Sequence, residues 1–514
     1  MKRQLKGNNK YPSRSGFTLL VVLVVVSALS LIVYAYVDRM TSAFRMTRGY
    51  LRSLEVRRAA ESGIELAAAA LEEATRGDPS RGGVDEAKMH GLRNGSETLS
   101  PYIVSIVKPG RKLPTLSSID KTQLGLENLS GRLNLRSLPL SHQRRPEARQ
   151  RLMALPSMTS QIADAILDWM DPDEEPSEFG AEASYYNTVS SSKAPLNAPV
   201  ERLDELLAVR GVTRQLLFGE ESGTPRSGNA EISATPSSTP WCMYLTVDGA
   251  ESNYMRNGEK KINVNGADMV GVYDRILAEL GEKAASYIVA MRLVGTTEAE
   301  GRALSQSSGG DGKSASSRQK AAILRAQQQQ SEAGVGNKGK RTAEIRAGMD
   351  LSRKPAFVIR SVFDLIGTKV RIDIDHKEVL LRSPWGGDAP DLSRTLQQME
   401  SVLAFGDEEV MNHRINVLEA PRPVLLSVPG MTTELADQLI ALRSKTSNPL
   451  TEIYADKQGD MREIRNVLQY LTMGGDVYRG VSIVHVDGTR NALALEFVID
   501  NTHTPAILLE MRER

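Results

Sequence analysis

Apolar positions follow three rhythms along this chain. The first is continuous, because no charged side chain occurs between Arg14 and Asp38. At about 1.5 Å per residue a helix through that run spans the roughly 30 Å hydrocarbon layer of a bilayer. About a dozen Leu, Ile, Val and Phe side chains favour its insertion by several kcal/mol in total. The second rhythm is helical. Ala43, Phe44, Leu51, Leu54, Val56 and Ala60 lead into an Ala-rich run ending at Leu71, which predicts one helix, half in lipid and half outside, with Gly63 as a point of bending.

The third rhythm is one of short strands and a repeated helical unit. Gly and Pro between 77 and 83 break the helix, and the β-branched run 102–107 predicts a strand, followed by a looser, exposed connection. Leu133-Asn134-Leu135, Ile262-Asn263-Val264 and Ile415-Asn416-Val417 then each open a segment of helix, turn and second helix. The turns fall at 155–159, 280–282 and 428–432, and a shorter copy at 203–212 follows Asn197. Such units pair as helix-hairpin-helix or SAM-like modules. The DNA-binding version needs a second Gly two residues past the first, so that bare N–H groups reach a phosphate. Here Met431-Thr432 and Val212-Thr213 follow the Gly, and Ser157 replaces it in the first turn. Arg210 and Arg214 flank one turn but Glu282, Glu434 and Asp437 occupy others, so packing against protein is expected rather than DNA binding.

Further strands are predicted at 241–247, returning through a turn at Arg256-Asn257-Gly258-Glu259, and at 370–375. A helix is predicted over 392–405. Residues 296–350, rich in Gly, Ser, Gln and Lys, are expected to be a disordered insertion. The runs 481–486, 492–499 and 506–511 predict an antiparallel meander with Asp487-Gly488 in its first turn, on which the N-terminal helix would lie.

Charge and composition narrow the picture. Lys2, Arg3, Lys6, Lys10 and Arg14 precede the apolar run with no acid among them, which keeps the amino terminus cytoplasmic and exports the chain beyond Asp38. Over 514 residues, 64 basic and 63 acidic side chains nearly cancel, so bulk charge does not favour nucleic acid. The single Cys242 excludes an intrachain disulfide. Six scattered His residues and the absence of Gly-x-Ser-x-Gly or Walker sequences give no catalytic constellation, and no enzyme is expected.

The run is too long for a cleaved signal peptide, although Ala28 and Ser30 could mimic a cleavage site, and a plain signal anchor is the simplest alternative. Its junction Ser15-Gly16-Phe17-Thr18-Leu19-Leu20 resembles the leader of type IV prepilins and pseudopilins. That resemblance implies cleavage by the prepilin peptidase after Gly16 and N-methylation of Phe17. Val21 stands where most members carry a Glu. A carboxylate there costs several kcal/mol in lipid unless paired. In the family it is thought to pair with the subunit ahead, so its loss is a feature of a tip subunit, the minor pseudopilin K of type II secretion.

One acidic loop carries candidate chemistry. Asp168, Asp171, Asp173, Glu174, Glu175, Glu178 and Glu182 crowd together with no cation inside the loop, and such repulsion loosens it unless a hard cation binds. Oxygen-only ligands on a turn built by Pro172, Pro176 and Gly180 suit Ca²⁺ better than Mg²⁺, and a solvated acidic loop is the alternative. Asp168-Trp169-x-Asp171-x-Asp173-x-x-Pro176, then Gly180-Ala181-Glu182, Tyr185-Tyr186, Leu196-Asn197 and Val209-Arg210-Gly211-Val212, resemble the pseudopilin K family over roughly 130–220. The resemblance implies calcium at Asp171, Asp173 and Glu182, with Asp168, Glu174 and Glu175 in reserve.

The fold class expected is α+β: an N-terminal transmembrane pilin-like helix on a small antiparallel sheet, with inserted all-α SAM-like or helix-hairpin-helix lobes. The expected divisions are a leader (1–16), a transmembrane and spine helix (17–76), the first part of the α/β domain (77–135), and a helical lobe with the acidic loop (136–240). A strand plus second hairpin unit (241–295), the insertion (296–350), a third hairpin region (351–445) and C-terminal strands (446–514) complete the chain. The resemblance implies a minor pseudopilin that forms or initiates the tip of the type II secretion pseudopilus. Its expected partners are the other minor pseudopilins, the major pseudopilin, the prepilin peptidase and the inner membrane, with the bulk of the chain periplasmic. A membrane-anchored helix-hairpin-helix DNA-uptake protein is the rival.

Overall fold

A computed structural model describes residues 15–76, 102–110, 124–188, 195–219, 239–297, 344–374, 377–386, 392–446, 448–456, 461–486 and 490–514. The leader basics, the break at 77–83, the turn at 487–488 and most of the insertion lie outside them.

Helix α1 runs unbroken over Ser15–Arg76, about 93 Å at a 1.5 Å rise per residue. Residues 17–53 are exposed along its whole circumference, and the stretch is long and apolar enough to cross a membrane. Its outer end buries Val56, Ala59, Ala60, Ile64, Ala67 and Leu71, a stripe at three- and four-residue spacing. That stripe lies on an antiparallel sheet of β1 (Ile103–Val107), β2 (Glu127–Asn128), β3 (Val477–Val486), β4 (Arg490–Asp500) and β5 (Ile507–Glu513). The meander β3-β4-β5 forms as the alternating sequence predicts, and β1 and β2 both pair with β3 across most of the chain's length. Residues 129–476 are therefore inserted into one sheet.

The helix is continuous through Gly63, which lies close against the sheet: an added Cβ would lie 2.6 Å from Val104 Cγ1 and 2.9 Å from Ser482 Oγ. Gly63→Ala gains about 1 kcal/mol of helix propensity but overpacks at a cost of about 1–3 kcal/mol. Leucine at this position should destabilise clearly more than alanine, by thermal unfolding of the detergent-extracted protein.

The insertion repeats one plan three times. Each Asn-containing tripeptide contributes a two-residue strand that pairs in parallel with a later one: Leu133–Asn134 with Leu245–Thr246, Ile262–Asn263 with Leu403–Ala404, and Ile415–Asn416 with Leu471–Thr472. Asn134, Asn263 and Asn416 act alike, each side-chain oxygen accepting the N–H two residues on, at 2.9 Å. The first unit holds α2 (Arg145–Met153) and α3 (Ser160–Met170), the second α4 (Met269–Leu280) and α5 (Glu282–Val294), the third α6 (Arg422–Leu426) and α7 (Thr433–Leu442). Their turns put Ser157, Gly281 and Gly430 at φ 61°, 85° and 79°, and the shorter copy puts Gly211 at 81°. Ser157 thus takes the left-handed conformation that glycine holds in the other turns.

Several expectations are corrected. Residues 124–132 are not an exposed connection: Leu124, Leu126 and Leu129 are buried. Trp241–Met243 is a 3₁₀ turn rather than strand, because the buried indole donates from Nε1 to Pro156 O at 2.8 Å, and only Leu245–Thr246 is extended. The helix expected over 392–405 ends at Val402, where Leu403–Ala404 pairs with Ile262–Asn263. The end of the insertion is ordered as a hairpin, Ile345–Arg346 with Met349–Asp350, tied down by Arg346 to Asp274 at 2.8 Å. Two helices, Pro449–Asp456 and Met461–Leu468, precede the sheet in a stretch expected to hold strands alone.

Candidate metal centre

Helix α3 starts at the cap Thr159, whose hydroxyl accepts the N–H of Ile162, and every residue from Ile162 to Met170 is buried. A helix apolar on nearly all sides has no wet face for its acids, so each acid needs an internal partner. Asp164 pairs with Arg149 at 2.9 Å. Asp168, with no exposed surface, accepts the Ser177 hydroxyl at 2.7 Å and the Ser177 N–H at 3.1 Å. Gly180 closes the loop over that carboxylate, since a Cβ there would fall 1.7 Å from Asp168 Oδ2.

Asp171 ends α3, its N–H donating to Leu167 O at 3.0 Å, and Glu182 opens the short helix Ala183–Thr188. The chain between them doubles back, so Asp168, Asp171 and Glu182, all buried, each bring a carboxylate oxygen within 4.8 Å of the other two. Asp173, Glu174 and Glu175 are exposed beside this triad rather than within it. Asp173 still acts on it: the Glu182 carboxyl is pushed up to about 7 by burial first, then by the charges of Asp168 and Asp173.

Two contributions were not visible in the loop's sequence. Arg145, on α2, contacts Asp171 closely and Asp168 at 3.3 Å. Asn197, at φ 47°, donates its N–H to Trp169 O at 3.1 Å and its amide to Asp173 O at 3.4 Å, and its own side-chain oxygen is a buried acceptor with no donor. Asp171 Oδ2 faces the Arg145 guanidinium, while Asp171 Oδ1 and both oxygens of Glu182 are likewise buried without a hydrogen-bond donor. One guanidinium facing three buried carboxylates leaves the cage negative, with oxygen atoms unsatisfied. Those are the features of a hard-cation site, and an all-oxygen donor set suits Ca²⁺.

Aromatic and arginine side chains pack around the triad. The Trp169 and Tyr186 rings meet edge-on at 5.2 Å, and Arg210 lies over Tyr185 at 4.6 Å. Arg210 donates its N–H to the Tyr186 hydroxyl at 3.1 Å and its guanidinium to Gly180 O at 3.3 Å. One of the two arginines flanking the shorter turn is thus engaged with the acidic loop.

Residues 131–218, which hold the first helical hairpin, the carboxylate triad and the shorter hairpin, match the family model described as Type II secretion system (T2SS), protein K. Among solved structures, a chain of the GspK-GspI-GspJ complex from the enterotoxigenic Escherichia coli Type 2 Secretion System is similar at a TM-score of 0.35 and 12% identity. The match covers 91% of this chain and 99% of that one. No curated protein matches the chain.

Proposed function

We infer that this chain, whose residues 131–218 are those of the type II secretion system protein K family, works as a minor pseudopilin and forms or initiates the tip of the pseudopilus. The observation that carries this reading is where the family segment sits. It lies within an insertion into a small sheet, and the same sheet holds the end of a 62-residue helix whose apolar half is bare. A helix of that kind has two uses for its bare half, the bilayer and the helices of neighbouring subunits.

Val21 supports the position at the tip. A subunit with nothing ahead of it needs no buried carboxylate, whereas one within the stack does. The head, inserted between β2 and β3, is too bulky to leave room for a further subunit above it. In this reading the leader is removed after Gly16, Phe17 is N-methylated, the amino terminus faces the cytoplasm and the head is periplasmic. Calcium held by Asp168, Asp171 and Glu182 would lock the acidic loop to α3, and the work is assembly rather than catalysis.

Co-expression with the other minor pseudopilins of its own system tests the reading. A stoichiometric complex in detergent, indifferent to double-stranded DNA, is the expected result. Salt-dependent retention on DNA, with no pseudopilin recovered, would overturn it in favour of the DNA-uptake rival.

A further inference from the structure

Helix α2 turns an arginine toward the core. Its buried residues are Ala148, Arg151 and Leu152, at three- and four-residue spacing, so Arg151 belongs to the stripe that an amphipathic helix keeps apolar. The residue is 3% exposed. Among the described residues it makes no ion pair and no hydrogen bond, and its Nε is enclosed without an acceptor.

The other repeats show what this position ordinarily holds. Six residues before the left-handed turn residues Ser157, Gly281 and Gly430 stand Arg151, Arg275 and Val424. The third repeat fills the place with a fully buried valine, and the second with an exposed arginine whose guanidinium donates to Lys260 O at 2.6 Å. Arg151 is buried like the valine and charged like the arginine. Neither packing nor pairing within the chain explains it.

The nearest acid along the helix is already engaged. Glu147, one turn earlier, accepts three hydrogen bonds of 3.1–3.2 Å from Arg144. From the third repeat, Tyr470 and His413 come near enough to act on the Arg151 charge. The parallel pair of Ile415–Asn416 with Leu471–Thr472 brings those two together, the Ile415 N–H donating to Tyr470 O at 2.8 Å. Burial pulls the guanidinium below its ordinary pKa, Glu147 and Tyr470 oppose that, and Arg144 adds to it. Water could restore hydrogen bonds here but not charge balance. An oxyanion supplies both, because two of its oxygens fit the fork of guanidinium donors. With so little of Arg151 exposed, a segment of another protein has nothing to dock on, so the occupant is a small free ion.

We propose that Arg151, together with Tyr470 and His413, forms a binding site for a small oxyanion, a carboxylate or inorganic phosphate, between the first and third repeats. The bound ion joins the two repeats.

The test uses the full detergent-extracted chain, dialysed free of calcium, with acetate or phosphate replacing chloride at constant ionic strength. At least one of the two should raise the melting temperature saturably. A response to acetate alone assigns the site to carboxylates, and one to phosphate alone assigns it to phosphate. Arg151→Met suits the apolar stripe and should fold, yet lose the response. Arg151→Lys keeps the charge without the fork and should need a tenfold higher concentration for half-saturation. Equilibrium dialysis with the labelled ion reads binding without relying on stability, and should show one site per chain in the wild type and none in Arg151→Met. No saturable binding of either ion to the wild type, or undiminished binding to Arg151→Met, overturns the site.

Discussion

Calcium added to the detergent-extracted protein is expected to raise the melting temperature of its helical lobe, and Asp171→Asn with Glu182→Gln to abolish that rise. A ligand at a hundredfold excess over its dissociation constant stabilises by about 2.7 kcal/mol. At roughly 4–8 °C per kcal/mol for a lobe of about 100 residues, the rise is about 10–20 °C. The pH dependence comes from Glu182, whose carboxyl burial pushes from an ordinary 4.5 up to about 7. Without metal, the folded state holds a proton that the unfolded chain has released between these two values, so stability falls as pH rises through that window. Calcium must displace the proton, so its stabilisation should be large at pH 8 and weak at pH 5.5. Thermal unfolding in calcium or chelator at the two pH values checks this, and an equal rise in the double variant would contradict it.

Arg145 sharpens the same prediction. In the absence of metal it is the cation nearest Asp168 and Asp171. Arg145→Met should therefore lower the metal-free melting temperature and enlarge the rise on adding calcium, because only the ion then neutralises the cage.

Arg414→Met is expected to cost about 3–5 kcal/mol, the penalty for leaving a buried acid without its cation. Arg414 contacts Glu251 closely and Glu400 at 3.3 Å, and the first two side chains are nearly enclosed. The pair joins repeats. Glu251 lies on Glu251–Ser252, which pairs with Val410–Met411, and Arg414 directly precedes the strand that opens the third unit. Glu400 is less enclosed and regains water more easily, so Glu251 carries most of the cost. Adding Glu251→Gln to Arg414→Met should recover a large share of the loss, and a double variant no better than the single one would contradict the account. Hydrogen exchange over the strands Glu251–Ser252 and Val410–Met411 reads the effect locally.

How much of this was legible in the sequence depended on distance along the chain. The long helix and the C-terminal meander arise from periodicity within a few residues, and both form where the pattern puts them. The repeated Asn tripeptides were visible too. Their parallel partners were not, because each is two residues long and Leu245–Thr246 lies more than a hundred residues beyond Leu133–Asn134. The same limit hid Arg145. The loop contains no cation, and only the α2–α3 hairpin brings one to it from an earlier helix. Leu124, Leu126 and Leu129, interrupted by Gly125 and followed by Gly131, were too sparse to look like core, yet they are buried beside the sheet. At Gly63 the sequence shows a missing side chain but not that Val104 and Ser482 fill its place.

Mass analysis of the amino terminus of the membrane-extracted protein decides whether α1 is the helix of a processed pseudopilin. An N-methylated chain beginning at Phe17, with the whole apolar helix retained, is expected. A chain beginning at Met1, or one cut beyond Ala28, would contradict it.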